Sequence, residues 1–385
     1  MVVGSDNARV SKMLVDLVYF DHNSTAPMLK DVELAVSEVM RIPLNASSAH
    51  TIGRRAKCLV EDARTKLRAL LNLGREYRIV FTSSATEANS LAILGMRDIS
   101  KITSAIEHDS VLHNVGVGSI PVNSDGIIDI VSAEKLIEDF VLKSSGAKFL
   151  VSVMMANNET GVVQPIAEIA ALAHKHGGIF HTDATQAIGK IPLDFAYMDI
   201  DIATISGHKF GAPIGVGALI YKEDVGIMPS YFGGGQEYRI RPGTHNVPAI
   251  YGLGIACDIV RQRGFDSRIE DLRNYLEDSI LRLAPDAIIF GKNVKRLPNT
   301  SMISMPGVPA ATQVIHFDTN GIMVSAGSAC SSGKVDLSRI LLAMGYSESI
   351  ANSAIRVSLG HRNNKAEIDK FVKIWADLYK SVNNF

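Results

Sequence analysis

An aspartate and a lysine stand at the ends of two successive apolar runs, 26 positions apart (209 − 183). Asp183 closes Ile179-Phe180-His181-Thr182-Asp183, and Lys209 follows Ile202-Ala203-Thr204-Ile205-Ser206-Gly207-His208. A carboxylate and an amine at the ends of buried strands are expensive to desolvate unless something compensates them. Pyridoxal phosphate would compensate both: the lysine condenses with its aldehyde as a Schiff base, and the aspartate pairs with its pyridinium nitrogen. Two ordinary polar residues in an α/β domain are the competing account, and this pair alone leaves both open.

Other residues bear on that choice. A phosphate needs backbone N–H groups at a helix start, ideally with a hydroxyl beside them. Thr82-Ser83-Ser84-Ala85-Thr86-Glu87 offers this, although the same residues could simply cap a helix. Asn157-Asn158-Glu159-Thr160-Gly161 follows another apolar run and brings amides to the same sheet edge. His108, after Ile102-Thr103-Ser104-Ala105-Ile106-Glu107, is placed where a flat imidazole could stack on a pyridine ring and exchange protons near neutral pH. Ligands of open parallel sheets lie beyond the carboxyl ends of the strands, so these segments are expected to converge on one crevice. A metal reading of His174, His176, His181 and Asp183 is disfavoured: His174 and His176 are two apart on an expected helix and face different ways. No metal is expected.

The three cysteines divide. Cys58 and Cys257 sit in helical patterns and are expected to be packing residues. Cys330 lies in Ser325-Ala326-Gly327-Ser328-Ala329-Cys330-Ser331-Ser332-Gly333, a stretch small enough to pack poorly and move easily. Nine residues at about 3.3 Å each reach roughly 30 Å when extended. A mobile thiol suits a group taken in one place and delivered in another; a tight turn with an incidental cysteine is the alternative.

The elements that must position these groups alternate. Strand-like runs at 78–82, 102–105, 148–153, 178–183, 202–206 and 217–221 are separated by helical periodicity at 86–96, 133–142 and 165–176. That order implies an α/β fold, a mainly parallel sheet covered by helices. A long helix begins near Val247, breaks at Gly264-Phe265-Asp266-Ser267 and resumes to about Leu283. Beyond it the pattern reads strand, strand, helix, strand, helices, a smaller α+β domain. The expected organisation is a large domain over 19–263 and a small one over 264–385, joined by an N-terminal arm at 1–18. That arm has too short an apolar core for a signal peptide, and Met13 could be the true start.

A net charge of −1 gives no basic field for nucleic acid or anionic membrane. No apolar run approaches the roughly 18 residues of a membrane span. Three cysteines cannot build a disulfide framework, which fits a reducing compartment, so a cytoplasmic protein is expected.

Taken in order, eleven segments carry a resemblance: YFDHNSTAP (19–27), NASSAHTIGRRA (45–56), SSATEA (83–88), EHDSV (107–111), NNETG (157–161), HTDATQAIGK (181–190), SGHKFGAPIGVGAL (206–219), GGGQE (233–237), RPGT (241–244), GSACSSG (327–333) and IRVSLG (355–360). The chain resembles the NifS/IscS-type cysteine desulfurases, fold-type I pyridoxal phosphate enzymes, from about Tyr19 to Trp375. The resemblance implies Lys209 as the Schiff-base lysine, Asp183 as the pyridinium partner and Gln186 as a donor near the ring hydroxyl. It implies His108 stacked on the ring and Asn158 beside cofactor and substrate. Ala85, Thr86, Ser206 and His208 would hold the phosphate, joined by Thr244 from the second subunit of a homodimer. Arg356 would clamp the carboxylate of L-cysteine, a bidentate task suited to a guanidinium fork. Cys330 would be the nucleophile that strips sulfur as a persulfide, with L-alanine released and a sulfur-acceptor protein downstream. An unperturbed thiol is mostly protonated at neutral pH, so a proton acceptor must help, and His108 is the candidate.

Three positions depart from the family pattern: Ala46 where proline is usual, Ser84 where glycine is usual, and His245 where glutamate often follows RPGT. Ser84 matters most, because glycine often marks a positive φ. Rival readings are a lyase for selenocysteine or cysteine sulfinate, and a sulfur-carrier or adaptor paralogue whose catalysis has decayed.

Overall fold

A computed structural model of the protein describes residues 17–115, 117–143, 147–327 and 337–383. The described chain opens with a two-residue strand, β1 (Val18–Tyr19). Seven strands then build one sheet: β2 (Tyr77–Thr82), β3 (Ser100–Ser104), β4 (Val117–Ile120), β5 (Phe149–Ser152), β6 (Ile179–Asp183), β7 (Ile202–Ser206) and β8 (Gly217–Lys222). Their spatial order is β2-β8-β7-β6-β5-β3-β4. From β4 through β7 every pairing is parallel, and β8 runs antiparallel to both β7 and β2. The sheet is therefore mainly parallel, as the alternating pattern implies.

Both faces are covered, which is why β5 and β7 are buried at every position. Alternate residues feed different cores, as a strand's period of two dictates. Ile79, Phe81, Val151, Phe180, Ala203 and Ile205 pack with the helices Thr51–Leu70 and Val247–Arg263. Val80, Leu150, Ile202 and Leu219 pack with the helix Ala85–Leu94 on the other face.

A separate apolar cluster serves the C-terminal elements. There β9 (Thr300–Ser304) pairs antiparallel with β11 (Ala354–Ser358), and β10 (Ile322–Met323) pairs in parallel with β1. Phe317 and Phe371 stack with centroids 4.5 Å apart, and Phe20 meets Phe371 edge-on at 6.0 Å. Val18 and Phe20 belong to this cluster together with Trp375.

Several expectations are corrected here. Only Ile289 of the first expected C-terminal strand forms a bridge, to Ile303, so the observed order there is strand, helix, short strand, two short helices, strand, helix. Strand β4 was not foreseen, because Val117-Gly118-Ser119-Ile120 lacks a continuous β-branched run. Ser84 has φ −167°, an extended backbone open to any residue, so no glycine is needed there. Its hydroxyl instead caps the helix Ala85–Leu94 by accepting from the Glu87 N–H at 3.2 Å. Cys58 is exposed rather than packed, whereas Cys257 is fully buried.

The turn at Ser84 is braced by a glycine. A Cβ on Gly217 would fall 2.7 Å from the Ile205 carbonyl oxygen and 2.8 Å from the Ser84 carbonyl carbon. Gly217→Ala is expected to push the Ser84 turn off the sheet and to lower stability by about 1–3 kcal/mol in denaturant unfolding. An unchanged midpoint would show that the turn yields freely.

Candidate active site

Beyond the carboxyl ends of the strands lies a cleft of about 780 Å³. One wall comes from the turns that follow β2, β3, β5, β6 and β7, the other from 21–24, 325–327, Leu337, Arg339 and Arg356. Of the twelve candidate residues, ten line it: Ala85, Thr86, His108, Asn158, Asp183, Gln186, Ser206, His208, Lys209 and Arg356. Thr244 is exposed and is not among the lining residues. Cys330 lies outside the described residues; Gly327 and Leu337, the nearest described residues before and after it, both line the cleft.

Asp183 ends β6 and is 5% exposed. It accepts from the Thr185 N–H at 2.9 Å and from Asn89 Nδ2 at 2.8 Å. Asn89 is locked in turn, accepting from Thr204 Oγ1 at 2.6 Å and donating to Ser110 Oγ at 2.9 Å. Lys209 sits in a single 3-10 turn directly after β7. Its amine donates to the carbonyl oxygens of Asn23 at 2.7 Å and Ser24 at 2.8 Å. Burial, then the Arg356 guanidinium, pull its pKa down to about 8, while Asp183 and Asp21 act the other way. With a pKa of about 8, roughly a tenth of this amine is neutral at pH 7, far more than of an ordinary lysine, and that fraction is a nucleophile and a base. Burial, with Lys209 adding repulsion, pulls His208 to about 4, so its ring is neutral; its Nδ1 meets Thr25 Oγ1 at 3.1 Å.

His108 caps a short helix, and its Nδ1 lies 3.1 Å from the Ser110 N–H and 2.8 Å from Ser110 Oγ. Ser110 therefore supports either tautomer: its N–H donates to Nδ1, or its hydroxyl accepts from an Nδ1–H. The ring can thus gain or lose a proton at Nε2 without moving. Arg356, projecting from β11, donates through Nη2 to Asp21 Oδ1 at 2.6 Å and Ser24 Oγ at 2.8 Å, and through Nη1 to the Asn158 carbonyl at 3.0 Å. Its buried Nε has no partner among the described residues, nor has Thr185 Oγ1 beside Asp183.

These features fit pyridoxal phosphate. The cleft presents a buried carboxylate for a pyridinium, an amine for an aldehyde and helix-start N–H groups at 84–86 for a phosphate. The spare donors at Arg356 and Thr185 remain for a ring substituent or a substrate carboxylate.

Residues 18–371 match the family described as Aminotransferase class-V. The chain belongs to the class-V aminotransferase family. These are pyridoxal phosphate enzymes, and within them the chain groups with the NifS- and IscS-like cysteine desulfurases. It is 35% identical to a cysteine desulfurase of Gluconacetobacter diazotrophicus, over 94% of this chain and 92% of that one. It is 36% identical to an IscS-like cysteine desulfurase of Mycobacterium tuberculosis, over 93% and 95%. The crystal structure of a NifS-like protein from Rickettsia africae superposes with a TM-score of 0.87 at 37% identity, covering 96% of this chain and all (100%) of that one.

The sequence reading gives no role to several residues in or beneath the cleft. Asn89 is an ordinary helical position until the fold brings it beneath Asp183. Asn23 is a hub: its carbonyl accepts from Lys209 and from Gln186 Nε2 (2.9 Å), and its Oδ1 accepts from Lys190 Nζ (2.8 Å). Glu107, next to His108, is fully buried; its Oε1 accepts from Ser104 Oγ and from the Met154 N–H at 2.7 Å. Glu107 Oε2 has no partner among the described residues. Burial, with Asp183 adding repulsion, pushes its pKa up to about 8.

A raised carboxyl pKa has a definite consequence for stability. An unfolded glutamate ionises near 4.5, whereas folded Glu107 holds its proton up to about 8. Between those values the folded state binds more protons, so stability falls as pH rises, by about 1.4 kcal/mol per unit. Glu107→Gln removes that slope without introducing a charge. Denaturant unfolding at pH 5 and pH 8 is expected to show the variant gaining on the natural protein toward pH 8. A constant difference would mean that Glu107 is ionised throughout.

Proposed function

We infer that the protein is a pyridoxal-phosphate-dependent cysteine desulfurase, which takes sulfur from L-cysteine and releases L-alanine. The observation that carries this is the meeting, in one cleft, of the Asp183 carboxylate, the depressed Lys209 amine and the Arg356 guanidinium. Bound there, pyridoxal phosphate supplies an aldehyde for Lys209 and an electron sink for the bonds around the substrate Cα.

The chain's own residues then divide the work. Asp183, fixed by Asn89 and Thr185, would offer a negative charge to the ring nitrogen. Ala85, Thr86, Ser206 and His208 would hold the phosphate, and Gln186 would donate to the ring hydroxyl. His108 would stack on the ring, and Asn158 would contact cofactor and substrate. Arg356 takes the substrate carboxylate in place of part of its present contact with Asp21 and Ser24. Lys209, partly neutral at working pH, accepts the Cα proton. The Cys330 thiolate attacks the substrate sulfur: a sulfur–sulfur bond forms, the substrate carbon–sulfur bond breaks, and a persulfide stays on Cys330. His108 takes the thiol proton at Nε2. Cys330 follows cleft-lining Gly327 by three residues, so chain geometry alone limits the separation of their Cα atoms to about 11 Å. Thr244, exposed on its own chain, reaches the phosphate of a second subunit in a homodimer.

The large unit over 19–263 and the small one over 264–385 are supported by the two separate apolar cores, with Val18 and Phe20 siding with the small one. The persulfide passes to a sulfur-acceptor protein that feeds iron–sulfur assembly or thiolation, in the cytoplasm. Among the described residues no helix is long and apolar enough to cross a membrane.

Purified holoenzyme given L-cysteine and a reductant is expected to release sulfide and L-alanine together. Cys330→Ala keeps the cofactor yet loses about 100-fold or more of sulfide release. Lys209→Ala loses the visible absorbance of a lysine-linked cofactor. Undiminished turnover in the Cys330 variant would remove that thiol from the reaction.

A further inference from the structure

Gln186 and Lys190 lie four residues apart in the turn that follows β6, with Gly189 in the left-handed region (φ +73°) just ahead of Lys190. Only one of them faces the cleft. Gln186 is among its lining residues, whereas Lys190 borders a smaller neighbouring cavity. The Lys190 amine still reaches the cleft wall, donating to Gln186 Oε1 at 2.7 Å and to Asn23 Oδ1 at 2.8 Å. A neutral amine has two N–H donors and a charged one has three, so both contacts persist in either state.

These contacts decide the polarity of the Gln186 amide, which carries two N–H donors at one end and a carbonyl at the other. Gln186 Oε1 accepts from Lys190 while Nε2 donates to the Asn23 carbonyl oxygen at 2.9 Å, which leaves one N–H over on a residue that lines the cleft. The opposite orientation would set N–H groups against the Lys190 amine and Oε1 against the Asn23 carbonyl. Two such contacts between like partners are costly in a wall where Gln186 is 5% exposed. The Asn23 side chain is held as firmly. Its Oδ1 also accepts from Asn299 Nδ2 at 3.2 Å, and its Nδ2 donates to Thr300 Oγ1 at 2.9 Å and to the Asn158 carbonyl at 3.2 Å. Lys190 is therefore the donor that both amides are arranged around.

We propose that Lys190 is a positioning residue, which holds the Gln186 amide with an N–H rather than its carbonyl toward the ring hydroxyl of bound pyridoxal phosphate. This rests on the reading of Gln186 as the donor to that hydroxyl. A donor there stabilises the ionised ring oxygen and lowers the pKa of the adjacent Lys209 linkage; losing it, or facing the oxygen with a carbonyl, raises that pKa. In Lys190→Met the Gln186 Oε1 has lost its donor and the amide is free to turn.

The test follows the pH midpoint of the visible absorbance of the holoenzyme without substrate. Arg356, Asp183 and Asp21, the charged groups that act on Lys209, stay in place in every variant. Gln186→Ala is expected to move the midpoint up by about one unit. No movement in that variant removes Gln186 from the ring hydroxyl and ends the proposal together with that reading. Lys190→Met and the neutral, shorter Lys190→Gln are each expected to reproduce most of the rise, and Lys190→Arg, which keeps a donor, to stay near the natural midpoint. Lys190 and Lys209 also repel each other, so removing the amine could raise the midpoint by charge alone, but then equally with or without Gln186. The double variant Gln186→Ala with Lys190→Met is accordingly expected to match Gln186→Ala. A shift in Gln186→Ala with none in the Met and Gln variants at 190, or a full further rise in the double variant, overturns the proposal.

Discussion

A lysine amine held partly out of water, between a guanidinium that repels its charge and carboxylates that attract it, is the constraint on which the site depends. Burial and Arg356 bring Lys209 down to about 8, while Asp183 and Asp21 keep it from falling further. Two backbone carbonyls, of Asn23 and Ser24, hold the amine in place whether or not it is charged. An amine fully exposed would stay protonated and inert, and one fully buried without partners would be a large liability. The cleft occupies the narrow range between those two states.

That balance is a property of three chain segments meeting. The sheet supplies Asp183 and Lys209 at the ends of neighbouring parallel strands. The C-terminal elements supply Arg356 from β11. The short segment at 21–25 lies between them: Asp21 and Ser24 engage Arg356, and Asn23 engages Lys209, Gln186 and Lys190. Asn23 also donates to Thr300 Oγ1 at 2.9 Å, and its Oδ1 accepts from Asn299 at 3.2 Å, so it ties the strand-end turns of the sheet to the start of β9. Arg339 makes a second fastening, donating to the carbonyls of Ala105 at 3.0 Å and Glu107 at 2.8 Å, both just ahead of His108.

Two of the family departures acquire physical content. Ser84 replaces an expected glycine without strain because the backbone there is extended, and its hydroxyl takes over the cap of the phosphate-facing helix. His245 pairs with the buried carboxylate of Glu237 at 2.8 Å, which Arg64 also grips. Glu237, Tyr238 and Arg239 all have positive φ, so this carboxylate network holds a left-handed turn just ahead of Thr244. A glutamate at 245 would instead face Glu237 with like charge. No feature of the structure accounts for Ala46 in place of proline.

The sequence by itself determined six of the seven strands of the main sheet, several of their helical covers and the convergence of Asp183, Lys209, His108 and Asn158, because period-two burial and strand-end placement are local properties. Its misreadings were also local. Cys58 looked like packing because its helix is amphipathic, yet its own position faces outward. Two successive strands are expected at the start of the C-terminal part, but the first is reduced to a single bridge at Ile289. What tertiary structure alone decided is the electrostatic surrounding of those groups. Asn89 lies outside every quoted motif, and Asn23, Glu107 and Lys190 sit in motifs that assign them no role; several of their partners lie far away in the chain. A pKa or a hydrogen-bond hub is set by distances across the fold, and no spacing along the chain encodes them.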